Sequence, residues 1–228
     1  MAVGGVIFDM DGVLLDSEPV YREASRRALA TMGCGITDSQ YADLIGLPGP
    51  DVLTALSSLL GSKFIADNFR NDFMAHWQQL VTAEGLPVKP GVHDTLAELT
   101  AHQIPFAVAT STPRERAWRS LRAGGLDASV PLLVGGDEVS RGKPAPDIFL
   151  AAASRIAVPP GSCIVIEDSA AGITGAVAAG MRAWMVPDLK QPDASLRQRC
   201  HAVWPSLHDA LPALLAACRD GHFEPAVS

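Results

Sequence analysis

Two aspartates one residue apart, Asp9 and Asp11, directly follow a short run of β-branched and aromatic residues, and the acidic pair Glu167-Asp168 follows another. The hydroxyl triplet Thr110-Ser111-Thr112 closes a third such run, and a further loop carries Arg141-Gly142-Lys143-Pro144. In an open parallel sheet, ligands bind beyond the carboxyl ends of the strands, where loops from several strands converge. Four carboxylates, two or three hydroxyls and one lysine are then expected in one crevice. Carboxylates about 4 Å apart repel by roughly 4 kcal/mol per pair at an effective dielectric of about 20. Such a cluster calls for a cation. The donors are all oxygen, with no usable Cys or His, which selects a hard ion; where phosphate shares the site, that ion is Mg²⁺. The hydroxyls and Lys143 meet the opposite need, that of holding an anion. An acidic cluster, a hard cation and an anion cradle together point to phosphoryl transfer.

Each residue alone has an ordinary explanation. A single Asp closing a strand is usually a turn residue, a lone Lys before Pro is usually solvated, and Thr110-Ser111-Thr112 could cap a helix beginning after Pro113. The weight comes from their falling after apolar runs in one layer. Other candidates are weaker. The six histidines have no ligand spacing, and His76 beside Trp77 reads as surface. Gly172, Gly175 and Gly180 do not form a dinucleotide loop, because the acidic pair precedes them and a helical pattern runs through them.

The runs that position these residues are Val6-Ile7-Phe8, 105–109, 132–134, 163–166 and 183–186. Amphipathic stretches of helical length, 92–102, 114–123, 146–156 and 170–179, lie between the later ones. Short apolar strands alternating with helices predict an α/β fold, a parallel sheet covered on both faces. Residues 17–87 break the rhythm: 17–32, with Ser17 as N-cap and Pro19 in the first turn, 50–60 and 63–83 read as helices with no strand among them. The expected division is a core of 1–16 and 88–228 with a helical cap of 17–87. Its crossings near Asp16-Ser17 and Pro87 to Gly91 are candidate hinges. The tail after Gly221 is expected to fray.

The 228 residues are 48% hydrophobic and 19% charged, enough apolar content for a sizeable core and too much for disorder. A net charge of -7 and the lack of a basic stripe argue against nucleic acid or an anionic membrane as partner. Four scattered cysteines without CxxC spacing fit a reducing compartment. No apolar stretch approaches the roughly 20 residues of a membrane span, and no signal peptide is expected, so the expectation is a soluble cytoplasmic protein.

The stretch VIFDMDGVLLDSE (6–18) resembles the first motif of the haloacid dehalogenase superfamily, and the likeness continues through VATST (108–112), GKPAPDIF (142–149) and IEDSAAGI (166–173) in that family's order. It covers nearly the whole chain and resembles most the branch with β-phosphoglucomutase and small sugar-phosphate phosphatases. The resemblance implies a Rossmann-like core with an inserted all-helical cap. It implies that Asp9 is a nucleophile forming an aspartyl phosphate and that Asp11 is the general acid and base. It implies further that Thr110 and the Ser111 amide hold the phosphoryl group and that Lys143 steadies nucleophile and phosphate. Mg²⁺ is then held by Asp9, the Asp11 carbonyl, Glu167 and Asp168. Specificity is expected from cap residues, among them Tyr21, the 44–51 turn with Gly46, and Trp77. The expected reaction is hydrolysis of a small phosphorylated metabolite. A phosphomutase is the alternative, weakened because the turn Gly46-Leu47-Pro48-Gly49-Pro50 lacks the arginine found there in β-phosphoglucomutases, and because Tyr21 stands near the place of their first-helix histidine. A non-catalytic phosphate-binding protein is a third reading, disfavoured because both Asp9 and Asp11 are present.

Overall fold

The computed structural model describes residues 3–47 and 49–220. The expectations on Pro48 and on the tail after Gly221 lie outside the described residues. The chain divides into two compact units, Met1–Asp16 with Pro87–Ser228, and Ser17–Leu86.

The larger unit is built on six parallel strands, β1 Gly5–Phe8, β2 Phe106–Ala109, β3 Leu133–Val134, β4 Cys163–Glu167, β5 Arg182–Met185 and β6 Ala202–Val203, in the order β3-β2-β1-β4-β5-β6. The chain leaves β1 in the middle of the sheet and builds outward on both sides, so the strand order reverses beside β1. That is the place where an open α/β sheet forms its ligand crevice. The strands are short and apolar because both faces are covered. Ile7, Ala107, Val165 and Ala183 pack with Ile148, Phe149 and Ala152 of helix α7 (Asp147–Arg155) and with Ile173 and Ala176 of α8 (Ala170–Ala178). The alternate residues Val6, Phe8, Val108, Ile164 and Ile166 are buried as well. Helices α5 (Val92–Ala101), α6 (Arg114–Ala123), α9 (Ala194–Arg199) and α10 (Leu207–Asp220) complete this unit.

Strand ends differ from the sequence reading by one residue in several places. β6 was not anticipated. β5 begins at Arg182, because that residue pairs with Ile164 of the neighbouring strand.

The smaller unit is helical: α1 Glu18–Thr31, α2 Asp38–Leu44, α3 Gly49–Leu60 and α4 Ala66–Glu84. Ala28, Leu29, Leu44, Leu56, Phe64 and Phe69 form its core. Tyr21, Phe73, Phe69 and Phe64 make a row of ring contacts between α1, α4 and a residue two positions before α4. Ser17 is not the capping residue expected of it, since its backbone is already helical and its side chain makes no capping bond. α2 was unforeseen, although its signal is in the sequence. Thr37 accepts from the Gln40 N–H at 3.2 Å while Gln40 accepts from the Thr37 N–H at 2.8 Å, a reciprocal capping box. Residues Gly61–Lys63 form a separate 3₁₀ turn, so α4 starts three residues later than expected.

The two crossings run side by side within the larger unit. The Asp16 N–H donates to the Pro87 carbonyl at 2.8 Å and the Lys89 N–H to the Leu14 carbonyl at 3.0 Å. No helix among the described residues is long and apolar enough to cross a membrane.

Candidate active site

Sheet register fixes the level of the acidic residues. Phe8 stands beside Val108 on one side and Ile166 on the other. One residue further along, Asp9 and Glu167 are therefore neighbours, about 4.8 Å being the spacing of adjacent strands. Period-2 alternation puts Asp9 on the face of Ile7 and Glu167 on the face of Val165, the face covered by α7 and α8. Asp9 is 7% exposed and Glu167 is fully buried.

Lys143 answers these two charges. Its Nζ donates to Asp9 Oδ1, to Glu167 Oε1 at 2.6 Å and to the Ala109 carbonyl at 3.1 Å, and lies 5.1 Å from the centre of the Phe149 ring. The other Glu167 oxygen receives the Asp168 N–H (3.1 Å), the Ser169 N–H (2.9 Å) and the Ser169 hydroxyl (2.8 Å). Ser169 also caps α8 by accepting from the Gly172 N–H at 3.0 Å. One serine thus joins the start of the helix to the acidic cluster, and the positive end of α8 adds to the potential there.

The charges do not balance. Burial pushes the Asp9 carboxyl up to about 7, with Glu167 and Asp11 adding to the effect and Lys143 opposing it. Burial and the charges of Glu167 and Asp9 likewise hold Asp168 well above the usual carboxylate range, with a further contribution from Asp188. Burial works against the Lys143 ammonium, yet Asp9 and Glu167 outweigh it and keep Lys143 above the ordinary lysine range. One ammonium is too little positive charge for this cluster. Carboxylate oxygens of Asp9, Glu167 and Asp168 lie within 4.8 Å of one another, a span that a hard divalent cation bridges with small side-chain adjustments. The residues present therefore fit such an ion. The Asp11 side chain is not in that group; its Oδ2 accepts from the Thr112 hydroxyl at 3.1 Å.

The hydroxyl loop is braced from two sides. The Thr112 N–H donates to Thr110 Oγ1 at 3.1 Å, and the Thr112 carbonyl accepts from the Gly136 N–H at 3.0 Å. Thr110 is buried and Ser111 exposed. The triplet does not cap α6; Asp137 does so from across the sheet end, accepting from the Arg114 N–H at 2.7 Å. Gly12 carries the turn after Asp11 at φ +82, a conformation that favours glycine.

The structure thus brings Asp9, Lys143, Glu167 and Asp168 together, with Asp11 beside Thr112. Tyr21 and Gly46 belong to the helical unit. Tyr21 stacks on Phe73 with ring centres 6.0 Å apart, and Gly46 has open space around the position of a Cβ. Trp77 is 1% exposed and so offers a ligand no surface, contrary to the sequence expectation. Three partners escaped the sequence reading: Thr112 as the Asp11 contact, Ser169 as the Glu167 donor, and Gly172, whose lack of a side chain leaves room for Glu167. Only the strand-end position of the triplet and the small residues after the acidic pair hinted at them.

Residues 6–186 match the family described as haloacid dehalogenase-like hydrolases. A phosphorylated carbohydrates phosphatase of Thermotoga maritima is 38% identical over 77% of this chain and 81% of its own. The crystal structure of a HAD family hydrolase from Deinococcus radiodurans, with bound phosphate and sodium, superposes with a TM-score of 0.76 at 30% identity, covering 99% of both chains. A β-phosphoglucomutase from Clostridium difficile shares the fold, with a TM-score of 0.79 at 20% identity over 96% of this chain and 98% of that one. Parallel sheet, acidic strand ends and family match agree: the chain belongs to the haloacid dehalogenase-like hydrolases and is an enzyme of that family.

Proposed function

We propose that the protein is a Mg²⁺-dependent phosphatase that hydrolyses a small phosphorylated metabolite, a sugar phosphate or similar compound, through an aspartyl phosphate on Asp9. The observation that carries this reading is Lys143 bridging Asp9 and Glu167 at the ends of adjacent strands, in a cluster still short of positive charge. The likeness to a phosphatase of phosphorylated carbohydrates supports the substrate class.

Asp9, Glu167, Asp168 and the Asp11 carbonyl would hold the ion, which when bound screens the negative charge between nucleophile and phosphate. An Asp9 carboxylate oxygen attacks phosphorus while the ester oxygen departs. Asp11, steadied by Thr112, gives that oxygen its proton. The same carboxylate then takes a proton from water, which attacks the aspartyl phosphate and releases inorganic phosphate and free Asp9. Lys143 orients the nucleophile and screens its charge. Thr110 and the Ser111 amide hold the phosphoryl oxygens as charge develops on them. Tyr21 and the turn at Gly46 are the proposed contributors to specificity.

A mutase would need to hold a second phosphate, and the turn at Gly46–Pro50 carries no cation for it. The deciding experiment is a panel of phosphorylated metabolites assayed with Mg²⁺ and with EDTA. Alongside it, β-glucose 1-phosphate with catalytic glucose 1,6-bisphosphate is followed by phosphorus NMR. Free phosphate is expected from suitable monoesters in Mg²⁺ only. Rapid formation of glucose 6-phosphate without comparable hydrolysis would overturn the phosphatase reading.

A further inference from the structure

We propose that Lys89 and Asp188 form a charge-compensating pair that tunes how strongly the neighbouring acidic cluster holds a divalent cation. This rests on the metal site proposed above and concerns two residues that its chemistry does not use.

Asp188 lies three residues past the end of β5, at the same carboxyl edge as Asp9 and Glu167. Its Oδ1 accepts from Lys89 Nζ at 2.6 Å, and the two side chains are only 11% and 22% exposed. Its Oδ2 lies on the side of Asp168, one of the proposed ligands. A Cβ built on Gly12 would lie 2.5 Å from Asp168 Oδ2 and 3.3 Å from Asp188 Oδ2, so both carboxylates crowd the same point. A further carboxylate therefore stands beside Asp168.

Lys89 sits on the returning crossing, where its N–H donates to the Leu14 carbonyl, three residues after Asp11. Its main chain is thus tied to the segment that carries the proposed nucleophile, and its ammonium to the loop after β5. The pair is largely shielded from solvent, so its charges act on Asp168 with little of the screening that makes surface pairs weak.

Opposite signs follow from removing the two partners. Without Lys89, Asp188 adds an uncompensated negative charge beside Asp168 and strengthens cation binding. Without Asp188, the Lys89 ammonium faces Asp168 alone and weakens it. A pair serving only to hold the fold would impair binding in both cases.

The test is calorimetric titration of the full chain with Mg²⁺ alone, at neutral pH and fixed ionic strength, with circular dichroism as the check of folding. Asp188→Asn is expected to raise the dissociation constant by roughly three- to tenfold and Lys89→Met to lower it by a similar factor. The double variant should return near the parent value, and Lys89→Arg should keep it. Lys89→Gln and Asp188→Ser serve as second variants should either first choice fail to fold. Shifts of both single variants in the same direction, or no shift in either, overturn the tuning pair while the parent still binds Mg²⁺. A parent chain that binds no Mg²⁺ overturns the metal reading itself.

Discussion

A Cβ added to Gly172 would stand 1.8 Å from the carboxyl carbon of Glu167. The first turn of α8 therefore tolerates no side chain at this position, and the acidic residue occupies the space. Glycine within a helix costs about 1 kcal/mol relative to alanine. That cost accompanies a carboxylate held by Lys143, by two main-chain N–H groups and by Ser169.

Gly172→Ala should consequently separate helix propensity from site geometry. The helix gains intrinsic preference, but Glu167 must leave its bonding position. Displacements of about 1 Å at such sites cost on the order of 100-fold in rate. Steady-state turnover of an aryl phosphate should fall by about that factor, with circular dichroism still showing a folded chain. Parental turnover in this variant would mean that Glu167 does not need its present place.

Asp9→Asn keeps shape and loses the anionic nucleophile. Turnover should disappear, since an amide cannot form the acyl phosphate, while the strand and its apolar neighbours stay folded. Excess EDTA should also silence the parent enzyme. Appreciable hydrolysis by the variant, with the same substrate and Mg²⁺, would falsify the nucleophile assignment.

The acidic cluster was legible in the sequence because strand ends are. Val6-Ile7-Phe8 and Cys163 to Ile166 are apolar runs with abrupt polar stops, and parallel pairing brings such stops to one edge whatever the intervening chain does. Lys143 and Thr110 were found through the same rule and the family resemblance. Most of what escaped depends on tertiary distance. Gly172 is the exception, five residues past Glu167, where a run of small residues is the local hint. The bond between Thr112 and Asp11 spans about a hundred residues, and that between Lys89 and Asp188 about as many, with no periodicity linking either pair. α2, by contrast, is readable in the capping residues Thr37 and Gln40, but its seven residues are too few to show a helical period.

Asp11 and Thr112 should differ in the size and kind of their effects. Asp11→Asn removes the proton donor and should lower turnover of an alkyl phosphate by roughly 10²–10⁴-fold. The loss should be smaller for an aryl phosphate, whose leaving group needs no proton. Thr112→Val keeps the acid but frees its carboxylate from one hydrogen bond, for a loss of about tenfold. Equal losses of kcat/KM for both leaving groups in Asp11→Asn would remove its role as the acid for the departing oxygen.

The edge strand β3 supports the hydroxyl loop, its Val134 carbonyl accepting from the Thr110 N–H at 3.1 Å. Glu138 receives Arg155 Nη2 at 2.7 Å, Arg114 Nη1 at 3.3 Å and the Gly135 N–H at 2.7 Å, tying the end of β3 to α6 and α7. The Arg155 hydrogen bond first, then the Gly135 N–H and Arg114, hold its carboxyl down to about 2 against the opposing effect of burial. A folded value below the unfolded one, near 4.5, means that the stabilisation is complete above about pH 4.5 and is lost as pH falls toward 2. Glu138→Gln should cost roughly 1–2 kcal/mol at neutral pH, the scale of a partly exposed charge-assisted contact. The difference from the parent, followed by urea unfolding, should stay constant down to about pH 5 and narrow by about pH 3. A gap that persists unchanged into acid would show that Glu138 acts through shape, since protonation would then take nothing from the parent.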